Sequence, residues 1–176
     1  MADPLDARAT QDGRYAEAAA AYGAALERLA HAYESDRDRR RDLLQEIHVA
    51  LWKSFGGFDG RCSLRTWVYR VAHNVAISEV SRRRARTPVL VGIEELERHA
   101  DTVDHERALD ERRTLERLTA MIHRLEPLDR QVMVLYLEGL DAAAIADVTG
   151  FSAGNVATKI HRIKKLLAQR FREGAV

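Results

Sequence analysis

Apolar residues recur at three- and four-residue spacing along almost the whole chain, and that pattern excludes most folds. Leu43, Leu44, Ile47, Leu51 and Phe55 form one helical stripe, and Leu64, Trp67, Val68, Val71, Ala72 and Val75 form another. Ala18, Tyr22, Ala25, Leu26, Leu29 and Tyr33 form a third ahead of them. Strand patterning is confined to one run, "TPVLVGI", where Pro88 marks a connector and not a ladder-forming strand. The expected fold class is all-α.

Punctuation residues then divide the chain. Residues 1–14 are polar and are expected to be a flexible N-terminus. Residues 15–86 accommodate three helices: one over 15–34, one over 42–55, and one that Ser63 caps and that ends near residue 86. The charged "ESDRDRRR" separates the first two, and the glycine-rich "GGFDGRC" precedes the third. Residues 87–108 read as an acidic linker. Helical spacing resumes over 109–176 with Leu109, Leu115, Leu118 and Ile122. Pro127 opens a helix over 128–138 that Gly139 ends, Asp141 caps the next, and Ser152 caps a last helix reaching Phe171. Two small helical domains joined by a linker are therefore expected.

The formal net charge of +1 over 176 residues conceals strong segregation. Arg61, Arg65, Arg70, Arg82, Arg83, Arg84 and Arg86 face one acid, Glu79. Lys159, Arg162, Lys164, Lys165, Arg170 and Arg172 face none. Between these blocks, residues 94–111 hold Glu94, Glu95, Glu97, Asp101, Asp104, Glu106, Asp110 and Glu111, opposed within that stretch by Arg98 and Arg107 alone. A merely solvated helix face mixes signs, so unmixed basic faces point to a polyanion. Trp67 and Tyr69 interleave with arginines in "SLRTWVYRVAHN", which suits an unpaired strand whose bases stack while its phosphates follow a basic groove. The polar side of that helix is expected to carry Arg65, Arg70, His73 and Asn74, the last able to read a base edge.

"DAAAIADVTGFSAGNVATKI" has the requirements of a helix-turn-helix: a small residue at the crossing (Ala146), a turn glycine (Gly150), and apolar anchors at Ile145, Val148, Phe151, Val156 and Ile160. Asn155, Thr158, Lys159 and Arg162 then point away from the packing stripe, toward base edges and phosphates of a major groove. An ordinary helical hairpin with a solvated basic face is the plainer reading, and spacing and charge together favour DNA. In "DLLQEIHVALW" the outward residues are Asp42, Gln45, Glu46, Val49 and Trp52. An outward Trp beside Val inside a polar ring fits a protein-binding surface, against the competing picture of a solvated helix with one stray Trp.

Catalytic chemistry finds little support. The histidines form no H-E-x-x-H set, and there is no P-loop or dinucleotide fingerprint. The single cysteine, Cys62, excludes an internal disulfide and reads as a silent thiol more readily than as an oxidant sensor. No apolar run is long enough to span a membrane, and the N-terminus lacks a signal-peptide pattern. The expectation is a cytoplasmic protein that is not an enzyme, with no metal and no cofactor.

Three segments in order, "DLLQEIHVALWKSF", "FDGRCSLRTWVYRVAHNVAISEVSRRRAR" and "LEPLDRQVMVLYLEGLDAAAIADVTGFSAGNVATKIHRIKKLL", resemble bacterial RNA polymerase sigma factors of the extracytoplasmic-function group, in the sigma-70 superfamily. The resemblance implies a transcription initiation factor whose first domain binds the polymerase and melts the minus-ten promoter element. It implies a second domain reading minus-thirty-five duplex and a linker threading the polymerase cleft. It assigns Arg61, Ser63, Arg65, Arg70, His73, Asn74, Arg82 and Arg83 to the unpaired minus-ten strand, and Asn155, Thr158, Lys159, Arg162 and Lys165 to duplex. Asp42, Gln45, Glu46, Val49 and Trp52 would face the polymerase. The implied partners are core RNA polymerase, through its beta-prime clamp helices and beta flap, promoter DNA, and, as in many relatives, an anti-sigma factor. Two other functions stay open from the residues alone: a helix-turn-helix regulator that does not act through polymerase, and a helical protein–protein interaction module.

Overall fold

A computed structural model describes residues 4–86 and 106–173. The "TPVLVGI" run, most of the acidic block, and the side chains of Arg84, Arg86 and Leu109 lie outside the described residues. Every regular element described is helical: α1 (Pro4–Tyr33), α2 (Arg37–Ser54), a short 3-10 turn (Phe55–Gly57), α3 (Leu64–Arg86), α4 (Glu106–His123), α5 (Pro127–Leu137), α6 (Ala142–Thr149) and α7 (Ala153–Glu173).

Two helices begin earlier than their apolar stripes suggest. Helix α1 starts at Pro4, a residue whose missing N–H and fixed φ suit a first helical position. Its early turns are tied down by tertiary bonds: Gln11 Nε2 donates to the Trp52 carbonyl (2.6 Å), and Arg14 Nη1 donates to the Phe58 carbonyl (2.9 Å). Helix α2 starts inside the charged "ESDRDRRR" because Asp36 caps it, accepting the Arg39 N–H at 2.9 Å. That hydrogen bond holds the Asp36 carboxyl below its usual range.

Helices α1 to α3 pack around Leu26, Leu29, Ile47, Leu51, Phe55, Val68, Ala72 and Ala76. Each large apolar side chain buried there is worth about 1.5–3 kcal/mol against exposure. The buried side of α3 differs from the expected one. It includes Tyr69 and His73, whereas Trp67, Val71 and Val75 are only half-buried.

In the second bundle Ile122, Leu125, Met133, Ile145, Val148, Val156, Ile163 and Leu167 are buried. Arg130 is buried too, and it donates to the Ile122 and Leu125 carbonyls (3.2 Å each) and to the His123 carbonyl, satisfying the end of α4. Two turns need glycine. After α5, Gly139 (φ +78°) allows the Leu140 N–H to reach the Leu135 carbonyl (3.1 Å) and its own N–H to reach the Tyr136 carbonyl (3.0 Å). After α6, Gly150 (φ +78°) bonds to the Ala146 carbonyl at 2.8 Å and makes the helix-turn-helix bend.

The two bundles share a core. One buried cluster runs from Leu26, Val68 and Ala72 in the first to Leu135, Leu140 and Ile145 in the second. Arg130 also stacks on Tyr33 of α1, 5.4 Å from the ring centre. Among the described residues no helix is long and apolar enough to cross a membrane.

Candidate nucleic-acid interface

The loop over 58–63 is built by its own side chains. Asp59 accepts the Arg61 N–H (3.2 Å), and that bond first, then the Arg61 guanidinium paired with it, holds the Asp59 carboxyl below its usual range. Ser63 Oγ accepts the Thr66 N–H at 3.0 Å and so caps α3, as expected. Phe58 lies against Trp67 (5.2 Å between ring centres), and Trp67 Nε1 donates to Ser54 Oγ at 2.9 Å. Phe58 thus closes the loop onto the bundle. Beneath it lies a hollow of about 420 Å³ lined by Asp59, Arg61, Cys62, Ser63, Thr66, Trp67, Arg70 and Asp147. The last residue belongs to α6, so the second bundle supplies part of the wall. A hollow of this size lies in the range of small-ligand sites.

The sequence-predicted strand contacts do not gather in one place. Arg61, Ser63 and Arg70 line the hollow. Arg65 is exposed at the seam between bundles, stacked over Tyr69 (5.9 Å) and donating to the Glu138 carbonyl (2.8 Å). Asn74 and Arg82 line a groove between α2 and α3, where Arg82 pairs with Glu79 at 2.8 Å. Arg83 pairs with Glu34, a buried carboxylate.

His73 requires a correction. It is 0% exposed, and its Nδ1 lies 3.0 Å from the Tyr33 hydroxyl in the α1–α3 core. Burial pushes its imidazole down to about 3, so it is neutral at physiological pH and touches no solvent-side strand. The sequence shows a polar residue, and a polar residue on a helix is placed outward by default; its buried partner, Tyr33, lies forty positions away.

On α7, Asn155 and Thr158 are exposed near the start, and Ser152 caps the helix by accepting the Asn155 N–H at 3.2 Å. Lys159 and Arg162 share one carboxylate on α5: Asp129 Oδ1 accepts from Lys159 Nζ (2.7 Å) and Oδ2 from Arg162 Nη2 (2.6 Å). Lys159 also sits over the Phe151 ring at 5.5 Å. Lys165 is exposed.

The expected protein-binding face is mostly assembled. Asp42, Gln45, Glu46 and Val49 line the α2–α3 groove, which has a volume of about 750 Å³, and Val49 is 45% exposed there. Trp52 departs from expectation. It is half-buried, and its Nε1 donates to Asp12 of α1 at 2.7 Å. The early turns of α1, expected to be flexible, hold it. Sequence reading missed Asp12, Asp129, Glu138 and Asp147 as partners, because each meets a residue many positions away with no local spacing to signal it.

Fold and site together define a two-part helical protein: a loop-capped hollow with arginine and aspartate side by side in its wall on a three-helix bundle, and a helix-turn-helix carrying a cationic last helix. Residues 19–86 match the family model described as sigma-70 region 2, and residues 115–167 match that described as sigma-70, region 4. These matches span more than half the sequence, and the chain belongs to the sigma-70 family of RNA polymerase sigma factors, in its extracytoplasmic-function group. It is 39% identical over 69 residues to the ECF sigma factor SigG of Mycobacterium tuberculosis, a match covering 38% of this chain and only 18% of that protein. It is 26% identical over 137 residues to SigX of Bacillus subtilis (75% of this chain, 70% of that one). With the sigma-E factor of Haemophilus influenzae it shares 28% identity over 137 residues (73% and 72%). A solved structure of CnrH in complex with the cytosolic domain of CnrY has the same fold, with a TM-score of 0.67 at 19% identity, covering 96% of this chain and 94% of that one.

Proposed function

We propose that the protein is a cytoplasmic transcription initiation factor that binds core RNA polymerase and directs it to specific promoters. In this reading α1 to α3 melt the minus-ten element and hold its non-template strand, and α7 reads the minus-thirty-five duplex. The observation that carries it is the hollow at the 58–63 loop, where Arg61, Arg70, Ser63, Thr66 and Trp67 line the space together with Asp59 and Asp147. Unstacking a base costs a few kcal/mol, and a fitted polar space flanked by arginines returns that energy. Asn155, Thr158, Lys159, Arg162 and Lys165 supply the groove and phosphate contacts on α7. Asp42, Gln45, Glu46 and Val49 form the polymerase-facing side of α2, with the clamp helices as partner.

A regulator that never engages polymerase would leave both the α2–α3 groove and the loop hollow without a role. An anti-sigma protein is a further partner consistent with the family and with the CnrH complex. The deciding experiment is in vitro transcription with core polymerase on a genomic fragment library, reading out start sites. The proposal expects starts clustered behind a shared pair of promoter elements. Random or absent initiation with a folded protein would overturn it.

A further inference from the structure

The opening turns of α1 lie ahead of the segment that matches the family model, which begins at residue 19, yet they touch the loop that borders the hollow. Three contacts seat these turns on α2. Gln11 Nε2 donates to the Trp52 carbonyl (2.6 Å), Trp52 Nε1 donates to Asp12 (2.7 Å), and the Tyr15 hydroxyl lies 3.1 Å from His48 Nδ1. One turn after Gln11 and Tyr15 on the same face, Ala18 is buried in the core. Arg14 reaches further. Its Nη1 donates to the Phe58 carbonyl (2.9 Å), and its guanidinium lies 5.4 Å from the centre of the Phe58 ring. Phe58 is where the loop departs: Asp59, Arg61, Cys62 and Ser63 follow it, and all of them line the hollow. The loop has little order of its own. The Phe58 N–H meets the Phe55 carbonyl at a long 3.4 Å, and Gly60 sits at φ +76°. A continuous helix seated on α2 is the stiffer body, so the helix places the loop and not the reverse.

We propose that residues 11–15 brace the strand-holding loop, and that Arg14 is a positioning residue for minus-ten recognition that acts through Phe58; the proposal rests on the strand-binding reading of the hollow given above. A wall fixed before the strand arrives loses less conformational entropy on binding. It also discriminates better, because a wrong base leaves polar groups unpaired that cannot move aside to suit it. Without the brace the same arginines and serine remain to hold a strand, but the hollow adapts to whichever base enters.

The test is capture of a short, random-sequence single-stranded oligodeoxynucleotide pool by holoenzyme reconstituted with core RNA polymerase, with core polymerase alone as the blank. The retained strands are sequenced, and the amount retained is measured over a salt series. Wild type should enrich one motif. Arg14→Ala should flatten it, lowering the preference at its strongest position by about threefold or more, with the salt slope unchanged. Gln11→Ala should flatten it less. That variant removes no cation, so it cannot act by losing a phosphate contact. Both side chains are half-buried, and thermal melts check that each variant is folded. A motif as sharp as the wild type's in both variants overturns the brace and leaves the strand-binding reading standing. A sharp motif with weaker retention and a shallower salt slope in Arg14→Ala alone makes Arg14 a phosphate contact, and that also overturns the brace. Absence of any motif with the wild type overturns the strand-binding reading, and the brace falls with it.

Discussion

Tyr33 and His73, on α1 and α3, meet inside the first bundle with hydroxyl and Nδ1 3.0 Å apart, their rings nearly perpendicular at 71°. The contact joins a row of rings, Tyr22–Tyr69–His73–Tyr33, that crosses the bundle on its side toward the second one. Arg65 stacks on one of these rings and Arg130 on another.

Stability should fall as the solution is acidified, before carboxylates titrate. Burial pushes His73 down to about 3 and His123 down to about 4, from an ordinary 6.5. Between those values and 6.5 the unfolded chain takes up protons that the folded chain refuses, so unfolding gains as pH drops. Each histidine contributes a slope approaching about 1.4 kcal/mol per pH unit in its window. Urea melts from pH 7 to 4.5 should show it, and His73→Phe should flatten the slope.

Asp129 holds Lys159 and Arg162 of α7 while 18% exposed. Asp129→Asn should release both cations to phosphates. Duplex affinity at low salt is expected to rise several-fold, with the log–log salt slope steeper by about one. Arg162→Ala should do the opposite, with a slope shallower by about one. Anisotropy titrations over a salt series decide both.

Trp52 anchors the opening turns of α1 through Asp12. Asp12→Ala should cost about 1 kcal/mol and speed amide exchange over 8–15 while leaving α3 amides protected. Uniform loss of protection would mean that this end of the helix does not open by itself.

Val49 is an exposed apolar residue in the wall of the α2–α3 groove. Val49→Arg should weaken core polymerase association at least tenfold with a melting temperature within about 2 °C of wild type, since surface changes rarely exceed ~0.5 kcal/mol. Binding to immobilised core polymerase, alongside thermal melts, measures both.

Gly150→Ala should destabilise the helix-turn-helix by about 1–2 kcal/mol, because its φ of +78° is left-handed backbone that a Cβ resists. The steric surroundings are open, with no atom within 4 Å of an added Cβ, so conformational strain alone is being measured.

What could be read from the residues alone follows how local each determinant is. Ser63, Asp141, Ser152, Pro127 and Gly150 act within a turn of themselves, and each stands where the sequence puts it. The starts of α1 and α2 were hidden, because one depends on bonds to Trp52 and Phe58 and the other on a cap inside a charged run. Asn74 and the α7 cations keep the exposure or half-exposure that their polarity suggests, and Val49 is exposed on the outward side where the helical period puts it. His73 does not, because a tyrosine on another helix makes its burial tolerable. The seam between bundles was illegible for the same reason: Arg28, Arg65 and Arg70 look like solvated cations until their distant acceptors are known.

Gly139 reverses the chain directly after Glu138, so the turn that launches the helix-turn-helix also aims the carboxylate at α1. Transplanting a foreign α5–α7 segment to retarget promoter choice therefore imports or deletes a contact with the recipient's own N-terminal helix. Hybrids that keep the acid-then-glycine pair should behave like the parent when unbound, and hybrids lacking it should not, whatever DNA they read.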